Sequence, residues 1–368
     1  MAVWDSIASA AECRTPPMHA NRRWVLARRP DGLVATEDFR LEETRVQEPA
    51  PGQFLVRVVY LSLAPVMAQY VLDGGVIEKP VPVGGTMRGR GVGYVVRSRH
   101  PDWKEGDVVH GPFGWQDYAL SDGGGLVFRS EQRVAPISAS VGVLGITGYT
   151  AYFGLTEIAR VAPGDRVLVS GAVGGVGSVA GPIARLLGAR PVVGICGSPG
   201  KCELAVGRLR YDAAIDYRAE DVGDRLDALL PEGIDVYFDN VGGRILELAI
   251  DRLRNEARVA VCGAISQYMV DGRPAGPGNY FKIVYRCARL HGFHVYAFAA
   301  RFAEGERRMA AWVADGSLPW QEDRLHGLEV MPAALRRLFE GGNRGKQVVQ
   351  IAEDPFAIPS DAARQEQR

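Results

Sequence analysis

The stretch RVLVSGAVGGVGSVAGPIARLLGA, from Arg166 to Ala189, decides the fold of this chain. A short apolar run, a turn of small residues and a longer amphipathic segment predict a strand, a turn and a helix. Ala172, Gly174 and Gly177 have the spacing of the G-x-G-x-x-G motif, with alanine in the first place. Small residues at this spacing let the backbone approach a pyrophosphate, which then lies on the helix N-terminus. We therefore expect a dinucleotide to contact the turn at Ala172, Gly174, Gly175, Val176 and Gly177.

Strands and helices alternate from this stretch as far as Phe298. The expected strands are Arg166–Ser170, Pro191–Cys196, Ala214–Asp216, Val236–Asp239, Arg258–Cys262 and Leu290–Phe298. The expected helices are Val176–Leu187, Lys201–Leu209, Asp221–Leu230 and Ile245–Leu253. Apolar strands that alternate with amphipathic helices indicate a parallel sheet covered on both faces. The predicted fold class is therefore α/β, with a doubly wound Rossmann sheet.

A β-rich region precedes this sheet. Between Arg23 and about Ala139, short apolar runs are interrupted by Gly and Pro, a pattern typical of barrel-like arrangements of strands. The segment from Glu304 to Ile351 predicts two helices and a final strand, which we expect to return to the β-rich region. The polar ends, residues 1–19 and 355–368, are expected to be flexible extensions.

The composition argues against several classes of partner. Of the 368 residues, 47% are hydrophobic and 23% are charged, and the formal net charge is zero, which does not favour nucleic acid or an acidic membrane surface. The sequence contains no run of 18 apolar residues, and its N-terminus lacks the pattern of a secretory signal. Five scattered cysteines match no zinc-ligand spacing and fit a reducing compartment. We therefore expect a cytoplasmic protein with neither nucleic-acid nor membrane partners.

The stretch GICGSPGK, from Gly194 to Lys201, bears on the choice of dinucleotide. About 20 residues after the glycine turn, NAD-binding proteins carry an acidic residue that binds the ribose 2′-hydroxyl. Here the second strand leads into Ser198, and Lys201 follows one turn into the next helix. Tyr217 and Arg218 end the third strand nearby. The missing carboxylate and the nearby cation favour the 2′-phosphate of NADPH, although Lys201 taken alone is equally well a solvated helix charge.

Eight motifs between Asn21 and Ile351 resemble those of the zinc-independent branch of the medium-chain dehydrogenase/reductase superfamily, which contains prostaglandin reductases, plant alkenal double-bond reductases and bacterial curcumin reductase. The motifs are YLSLAPVM, GWQDYAL, GVLGITGYTAYFGL, GAVGGVGS, GSPGKCEL, YFDNVGG, CGAISQY and GGNRGK. The resemblance implies a GroES-like β-rich domain from residues 20–143 and 316–354, a Rossmann domain from residues 144–315, and an active site in the cleft between them. It also implies a homodimer in which the last Rossmann strand pairs across a two-fold axis.

The resemblance bears on metal binding as well. Zinc-dependent members carry a Gly-His-Glu motif and a four-cysteine lobe, but the corresponding stretch here, MRGRGVGYVV, contains neither His nor Glu. A metal-assisted mechanism is therefore not expected.

Cofactor contacts follow from the same resemblance. Lys201 and Tyr217 are implied to contact the 2′-phosphate, and the glycine turn is implied to hold the pyrophosphate. The other residues implied to lie along the nucleotide cleft are Thr147, Thr150, Asn240, Cys262, Tyr268, Val295 and Asn343. For Val295 and Cys262, plain core packing is an equally good interpretation.

The implied reaction is the reduction by NADPH of the C=C bond of an α,β-unsaturated ketone or aldehyde. Hydride goes to the β-carbon, and a hydrogen-bond donor stabilises the negative charge that develops on the carbonyl oxygen. Tyr268 is the candidate donor, acting directly or through the cofactor ribose. The competing interpretation of Tyr268 is a buried structural tyrosine.

One loop departs from the pattern of the branch. Many relatives have Asp-Pro-Tyr-Met-Arg where this chain has Ala-Pro-Val-Met-Ala at residues 64–68, so Val66 replaces a tyrosine of the substrate pocket. Tyr70 lies four residues further on and compensates as a catalytic residue if the segment is helical. The expected substrate pocket consists of Val66, Tyr70, Tyr268, Tyr280, Phe281, Tyr285 and Tyr296.

Two alternatives remain open from the sequence. The first is an NADPH-dependent quinone reductase of the same fold. The second is an NADPH-binding protein without catalysis, an alternative that the replacement of the pocket tyrosine by Val66 keeps open.

Overall fold

The computed structural model describes residues 20–73, 79–130, 134–269 and 275–357. The predicted N-terminal extension, residues 1–19, lies outside these ranges, as does the predicted tail beyond residue 357. The described strands are β1 Asn21–Leu26, β2 Phe39–Thr44, β3 Phe54–Ser62, β4 Gly91–Ser98, β5 Val108–Gly111, β6 Tyr118–Ser121, β7 Phe128–Arg129, β8 Val167–Ser170, β9 Val192–Cys196, β10 Ala213–Asp216, β11 Ile234–Asp239, β12 Leu253–Val261, β13 Arg289–Gly292, β14 Glu322–His326 and β15 Lys346–Gln350.

The described helices are α1 Ile146–Phe153, α2 Gly177–Leu186, α3 Pro199–Gly207, α4 Val222–Leu229, α5 Gly243–Ile250, α6 Lys282–Tyr285, α7 Phe302–Ala314 and α8 Met331–Phe339. A π-helical turn, Gly154–Ile158, extends α1. Short 3₁₀ segments cover Thr36–Asp38, Pro65–Tyr70, Ile137–Val141, Ile265–Gln267, Val295–Arg301 and Leu328–Val330.

A six-stranded sheet forms the centre of the C-terminal half, in the order β10-β9-β8-β11-β12-β13. Every neighbouring pair in it is parallel. Its strand β8 is buried on both faces, because Val167 and Val169 pack in one hydrophobic cluster and Leu168 packs in another. This arrangement confirms the predicted doubly wound α/β sheet.

The second large sheet contains most of the remaining strands, in the order β14-β15-β3-β4-β5-β7, with β6 paired to β3. The C-terminal strand β15 pairs antiparallel with β3, with Val348 opposite Ser62. The final strand therefore returns to the β-rich region, as the sequence predicts. The short hairpin of β1 and β2 forms a separate two-stranded sheet.

The last strand of the parallel sheet is shorter than predicted. The prediction of a strand over Leu290–Phe298 is wrong beyond Gly292, because β13 ends there and a 3₁₀ segment begins at Val295. Phe293 turns toward the sheet core, where its ring meets that of Phe238 edge-on at 6.3 Å. This change of direction carries the chain across the carboxyl edge of the sheet.

The glycine turn explains why alanine is acceptable in the first motif position. A Cβ on Gly177 would lie 2.2 Å from the carbonyl oxygen of Gly171, so only glycine lets α2 pack this closely on β8. The methyl group of Ala172 lies above Gly194 of β9, where a second Cβ would approach it to 2.7 Å. Ala172 therefore fills the space that a glycine in the first motif position would leave. Gly194 makes this possible, because its missing side chain provides the room for the Ala172 methyl group.

Candidate active site

A cleft of about 840 Å³ lies along the carboxyl edge of the parallel sheet. Each strand of that sheet contributes a residue at or just beyond its carboxyl end, namely Gly171, Cys196, Tyr217, Asn240, Cys262 and Phe293. The opposite wall comes from the other sheet, through the loop after β3 and the start of β15. Ligands of open α/β sheets bind at this edge, which makes the cleft the candidate active site.

The glycine turn forms the floor of the cleft. Gly174, Gly175, Val176 and Gly177 all line it, whereas Ala172 is fully buried beneath it and lies outside the lining. The backbone N–H of Gly345 donates to the carbonyl of Val173 at 2.9 Å, which holds the C-terminal motif against the turn. The N-terminus of α2 thus opens into the cleft, an arrangement that suits a pyrophosphate.

Lys201 lies on α3, at the end of the cleft next to β9 and β10. The Nζ atom of Lys201 donates to the carbonyl of Gly341 at 2.9 Å, and burial lowers the pKa of its amine. Tyr217 and Arg218 line the same end and are exposed to solvent. Ser198 lies outside the lining and has a different role, because its Oγ accepts a hydrogen bond from the backbone N–H of Lys201 at 3.4 Å and caps α3. The predicted cation therefore faces the cleft, and the predicted serine positions it.

The opposite end of the cleft is lined by Thr147, Thr150, Cys262 and Val295. The hydroxyl of Thr150 donates to the carbonyl of Ile146 at 2.7 Å within α1. Burial raises the pKa of Cys262 to about 12, with the charge of Asp239 adding to it. The Cys262 thiol is therefore protonated at neutral pH and has the character of a small apolar group rather than a nucleophile.

Asn240 and Asn343 also line the cleft, and each donates a side-chain hydrogen bond to a nearby backbone carbonyl. The amide of Asn240 bonds to Ser170 at 2.8 Å, and that of Asn343 bonds to Gly345 at 2.9 Å. These bonds fix the two loops at the strand ends in place.

Tyr268 lines the cleft at the end of the 3₁₀ segment after β12. Its hydroxyl oxygen accepts a hydrogen bond from the backbone N–H of Ala264 at 3.2 Å, and burial raises the pKa of the phenol. Its backbone carbonyl accepts a hydrogen bond from Nε2 of Gln69 at 2.9 Å, which connects the loop after β3 to the Rossmann side. The phenol is therefore protonated and held in place by an N–H donor. Its own O–H has no hydrogen-bond acceptor among the described residues and is available to a ligand.

The altered loop after β3 forms the apolar wall at this end. Val66 and Tyr70 lie on the 3₁₀ segment Pro65–Tyr70 and both line the cleft. The guanidinium of Arg88 lies over the Tyr70 ring, 5.6 Å from its centroid. Tyr296 lines the cleft as well, and the guanidinium of Arg90 lies near it.

Three residues that we predicted for the substrate pocket lie elsewhere. Tyr280, Phe281 and Tyr285 are 64%, 55% and 72% exposed, and none of them lines the cleft. They lie in and before α6, on the surface that precedes the edge strand β13. The physical reason is that Ile283 is the residue of α6 that packs against the hydrophobic cluster of the sheet, which leaves the three aromatic side chains on the solvent side.

Two charged residues near the cleft were not identified from the sequence. Lys346, the last residue of the GGNRGK motif, lines the cleft and is only 5% exposed. Arg90 lies behind Tyr296 and donates to the carbonyl of Leu126 at 2.8 Å. Both residues lie in stretches that the sequence analysis quotes, GGNRGK and MRGRGVGYVV, but only the tertiary structure brings Lys346 to the cleft and Arg90 behind Tyr296.

Comparisons with known proteins agree with this geometry. A profile for the N-terminal domain of oxidoreductase matches residues 22–128, and one for zinc-binding dehydrogenase matches residues 175–312. The chain is 40% identical over 339 residues to the NADPH-dependent curcumin reductase of Escherichia coli, an alignment that covers 91% of this chain and 98% of the relative. The chain belongs to the zinc-independent branch of the medium-chain dehydrogenase/reductase family. The resemblance inferred from the motifs is therefore confirmed.

Other members of this reductase branch are similar over the same length. The NADP-dependent 2-alkenal reductase of Nicotiana tabacum is 33% identical, and the alignment covers 91% of this chain and 98% of the relative. The crystal structure of CurA from Vibrio vulnificus in complex with NADPH is 37% identical in sequence, with a TM-score of 0.85, and the alignment covers 90% of this chain and 99% of the CurA chain.

Within residues 20–73, 79–130, 134–269 and 275–357, no cluster of three or more His, Cys, Asp or Glu side chains is arranged to hold a metal ion.

Proposed function

We propose that this chain uses NADPH to reduce the C=C bond of an α,β-unsaturated ketone or aldehyde. The observation that carries the proposal is the position of Tyr268, whose phenol is held at the junction between the glycine-turn cleft and the apolar loop after β3. A protonated donor beside an apolar pocket suits a reaction that develops charge on a carbonyl oxygen. The names of the relatives, curcumin reductase and 2-alkenal reductase, support the same chemistry.

The residues of the cleft fit the cofactor on structural grounds. Gly174, Gly175 and Gly177 line the cleft without side chains, so the turn leaves room for a pyrophosphate. Lys201 stands at the far end, and none of the ion pairs of the described residues joins it to a carboxylate. When bound, NADPH supplies the hydride that goes to the β-carbon of the substrate. Asn343, Tyr217 and Arg218 are proposed to hold its remaining polar groups, and Ser198 is proposed to act indirectly by capping α3.

The protein's own part in the reaction is to orient the substrate and to manage charge and protons. The O–H of Tyr268 is proposed to donate to the carbonyl oxygen as the enolate forms, directly or through the cofactor ribose. Val66 and Tyr70 are proposed to exclude water from the side of the pocket that faces the α-carbon. Tyr296, with the Arg90 guanidinium nearby, offers a further hydroxyl within this pocket.

A substrate panel distinguishes this proposal from its two alternatives. NADPH oxidation is measured with acyclic enones, enals and quinones at equal concentrations. We expect kcat/KM to be highest for an enone or enal and the product to be the saturated carbonyl compound. Faster turnover of quinones would indicate a quinone reductase, and tight NADPH binding with no oxidation by any acceptor would indicate a non-catalytic protein.

We propose in addition that two copies of the chain form a homodimer through β13. This strand is the edge of the parallel sheet, and Arg289, His291 and Gly292 are exposed along it. The exposed apolar side chains of Tyr280, Phe281, Val284 and Tyr285 lie on the segment that leads into it. An unpaired strand edge next to an exposed apolar patch is the arrangement that a second copy covers by extending the sheet.

The oligomeric state tests the dimer. We expect light scattering after size exclusion to give about twice the chain mass at micromolar concentration, and the Val284→Asp/Tyr285→Asp variant to give the monomer mass because it places charges in the interface. Val206→Asp is the matched control, since Val206 is also exposed but lies on α3. A wild-type protein that is monomeric throughout this range would refute the dimer.

We propose a cytoplasmic location on the basis of cysteine chemistry. Cys196, Cys202, Cys262 and Cys287 are all free thiols, a state that a reducing compartment maintains. The structure separately shows, for the part of the chain that it describes, no helix long and apolar enough to span a membrane.

A further inference from the structure

Lys346 is a buried amine at the cleft with no role assigned so far. It begins β15, is 5% exposed and lines the cleft. Its Nζ donates a hydrogen bond to the carbonyl of Leu63, at the end of the loop opposite the glycine turn. Its aliphatic stem covers the turn, because its Cδ lies 3.2 Å from the position that a Cβ on Gly175 would occupy.

The charges around Lys346 leave its amine without a close anionic partner. Among the ion pairs of the described residues, none involves Lys346 within 4.0 Å. Glu322, its register partner on β14, is the acidic group that faces it, and the Oε2 atom of Glu322 already accepts from Arg324 at 2.9 Å and from Ser138 at 3.0 Å. The other carboxylate oxygen, Oε1, is buried without a hydrogen-bond partner among the described residues, but it does not come within salt-bridge distance of the Lys346 amine. The elements on the other sides face Lys346 with the uncharged residues Leu63, Thr147 and Gly175.

An ammonium group has three N–H donors, and the hydrogen bond to Leu63 uses one of them. Burial lowers the pKa of the Lys346 amine to about 7, against the opposing influence of Glu322. A buried cation with unused donors at the mouth of a ligand cleft is unfavourable unless an anion joins it. The nearest ligand feature is the glycine turn, which its stem touches.

We infer that Lys346 provides the counter-charge to the pyrophosphate of the bound dinucleotide and takes up a proton when NADPH binds. The inference rests on the proposed use of NADPH. The competing role is purely structural, in which Lys346 only ties β15 to the loop after β3 through its bond to Leu63.

The sign of the pH dependence follows from the two states of the amine. In the free protein the amine is protonated below about pH 7 and mostly neutral above it. A bound anion raises this pKa. The contribution of the Lys346 charge to NADPH affinity is therefore fully present below pH 7, and the affinity falls as the pH rises above 7, by at most about tenfold per pH unit. The decrease in affinity ends once the pH exceeds the pKa of the amine in the complex, because the amine is then neutral in both states.

Calorimetry of NADPH binding at pH 8, in two buffers with different ionisation enthalpies, measures the proton uptake directly. The cofactor's 2′-phosphate, with a second pKa of about 6, is already fully ionised at this pH and contributes no uptake. We expect the wild-type protein to take up about half a proton or more per NADPH. An uptake near zero in the wild type would overturn the inference without any variant.

The Lys346→Met variant assigns the proton to this residue. It is expected to lose the uptake and to bind NADPH at least about tenfold more weakly at pH 6.5, whereas Lys104→Met, which changes an exposed lysine, is expected to behave as the wild type. Adenosine 2′-monophosphate lacks the pyrophosphate, so Lys346→Met is expected to bind this probe as tightly as the wild-type protein does. Unchanged proton uptake in Lys346→Met would contradict the inference.

The stability of the cofactor-free protein separates the charge role from the structural one. Lys346→Met is expected to unfold at the same temperature or higher, because methionine fills similar space without a buried amine. A lower unfolding temperature together with unchanged NADPH affinity would assign a structural role only. If NADPH fails to bind even at pH 6.5, the proposed function fails; if it binds without proton uptake, only the role of Lys346 fails.

Discussion

The Lys201→Ala variant is expected to bind NADPH about 10- to 100-fold more weakly, while its affinity for NADH changes by less than about threefold. The difference arises because the amine of Lys201 faces the end of the cleft where the second strand of the sheet leads into α3, and no acidic residue occupies that strand end. A charged hydrogen bond to a phosphate is lost with the side chain, and NADH has no phosphate at this position.

Fluorescence titration with the two dinucleotides gives the two dissociation constants. Arg208→Ala is the matched control, because it removes an exposed cation from the C-terminus of the same helix without changing the cleft. The control is expected to leave both constants within about twofold of the wild type. Equal losses for NADPH and NADH in Lys201→Ala would show that Lys201 supports the cleft generally and does not read the 2′-phosphate.

The Tyr268→Phe variant is expected to lower kcat for an enone by about 10²- to 10³-fold, with little change in NADPH affinity. The phenylalanine ring keeps the packing of the 3₁₀ segment, and only the O–H is removed. The backbone N–H of Ala264 loses its acceptor, but its neighbours Gly263 and Ile265 line the cleft, and we expect water from the cleft to replace the phenol. The loss is therefore expected in the chemical step and not in cofactor binding.

Steady-state kinetics and NADPH titration on the same preparations make the test. Tyr152→Phe is the matched control, because Tyr152 packs against Phe153 and Trp312 away from the cleft. The Tyr70→Phe variant tests the other candidate donor, which lies under Arg88 on the altered loop. It is expected to lower kcat by less than Tyr268→Phe does. If Tyr70→Phe removes most of the activity and Tyr268→Phe does not, the donor role belongs to Tyr70.

The glycine turn and the fold class could be predicted from the sequence because their determinants are local. The run from Arg166 to Ala189 contains the strand, the turn and the helix that touch one another, and the structure places Gly177 where only glycine fits. The alternation of apolar and amphipathic segments determines the rest of the parallel sheet in the same way. The domain boundaries, at residues 143/144 and 315/316, stay a prediction.

The parts that sequence reasoning missed depend on contacts between distant residues. Lys346 reaches the glycine turn only because β15 pairs with β3 and the backbone of Gly345 bonds to Val173. Conversely, the aromatic character of Tyr280 and Phe281 indicated a pocket wall, although exposed aromatic residues next to an edge strand equally mark an interface. Local pattern distinguishes apolar from polar positions, but it does not show which surface covers an apolar face.

Hydride transfer from NADPH deuterated at C4 of the nicotinamide tests the central claim most directly. The protein is incubated with this cofactor and an acyclic enone, and the product is analysed by NMR and mass spectrometry. We predict a saturated ketone with one deuterium at the former β-carbon and an intact carbonyl group. Deuterium at the carbonyl carbon, in an allylic alcohol, or a bound cofactor that transfers no deuterium to any enone or enal, would contradict the account.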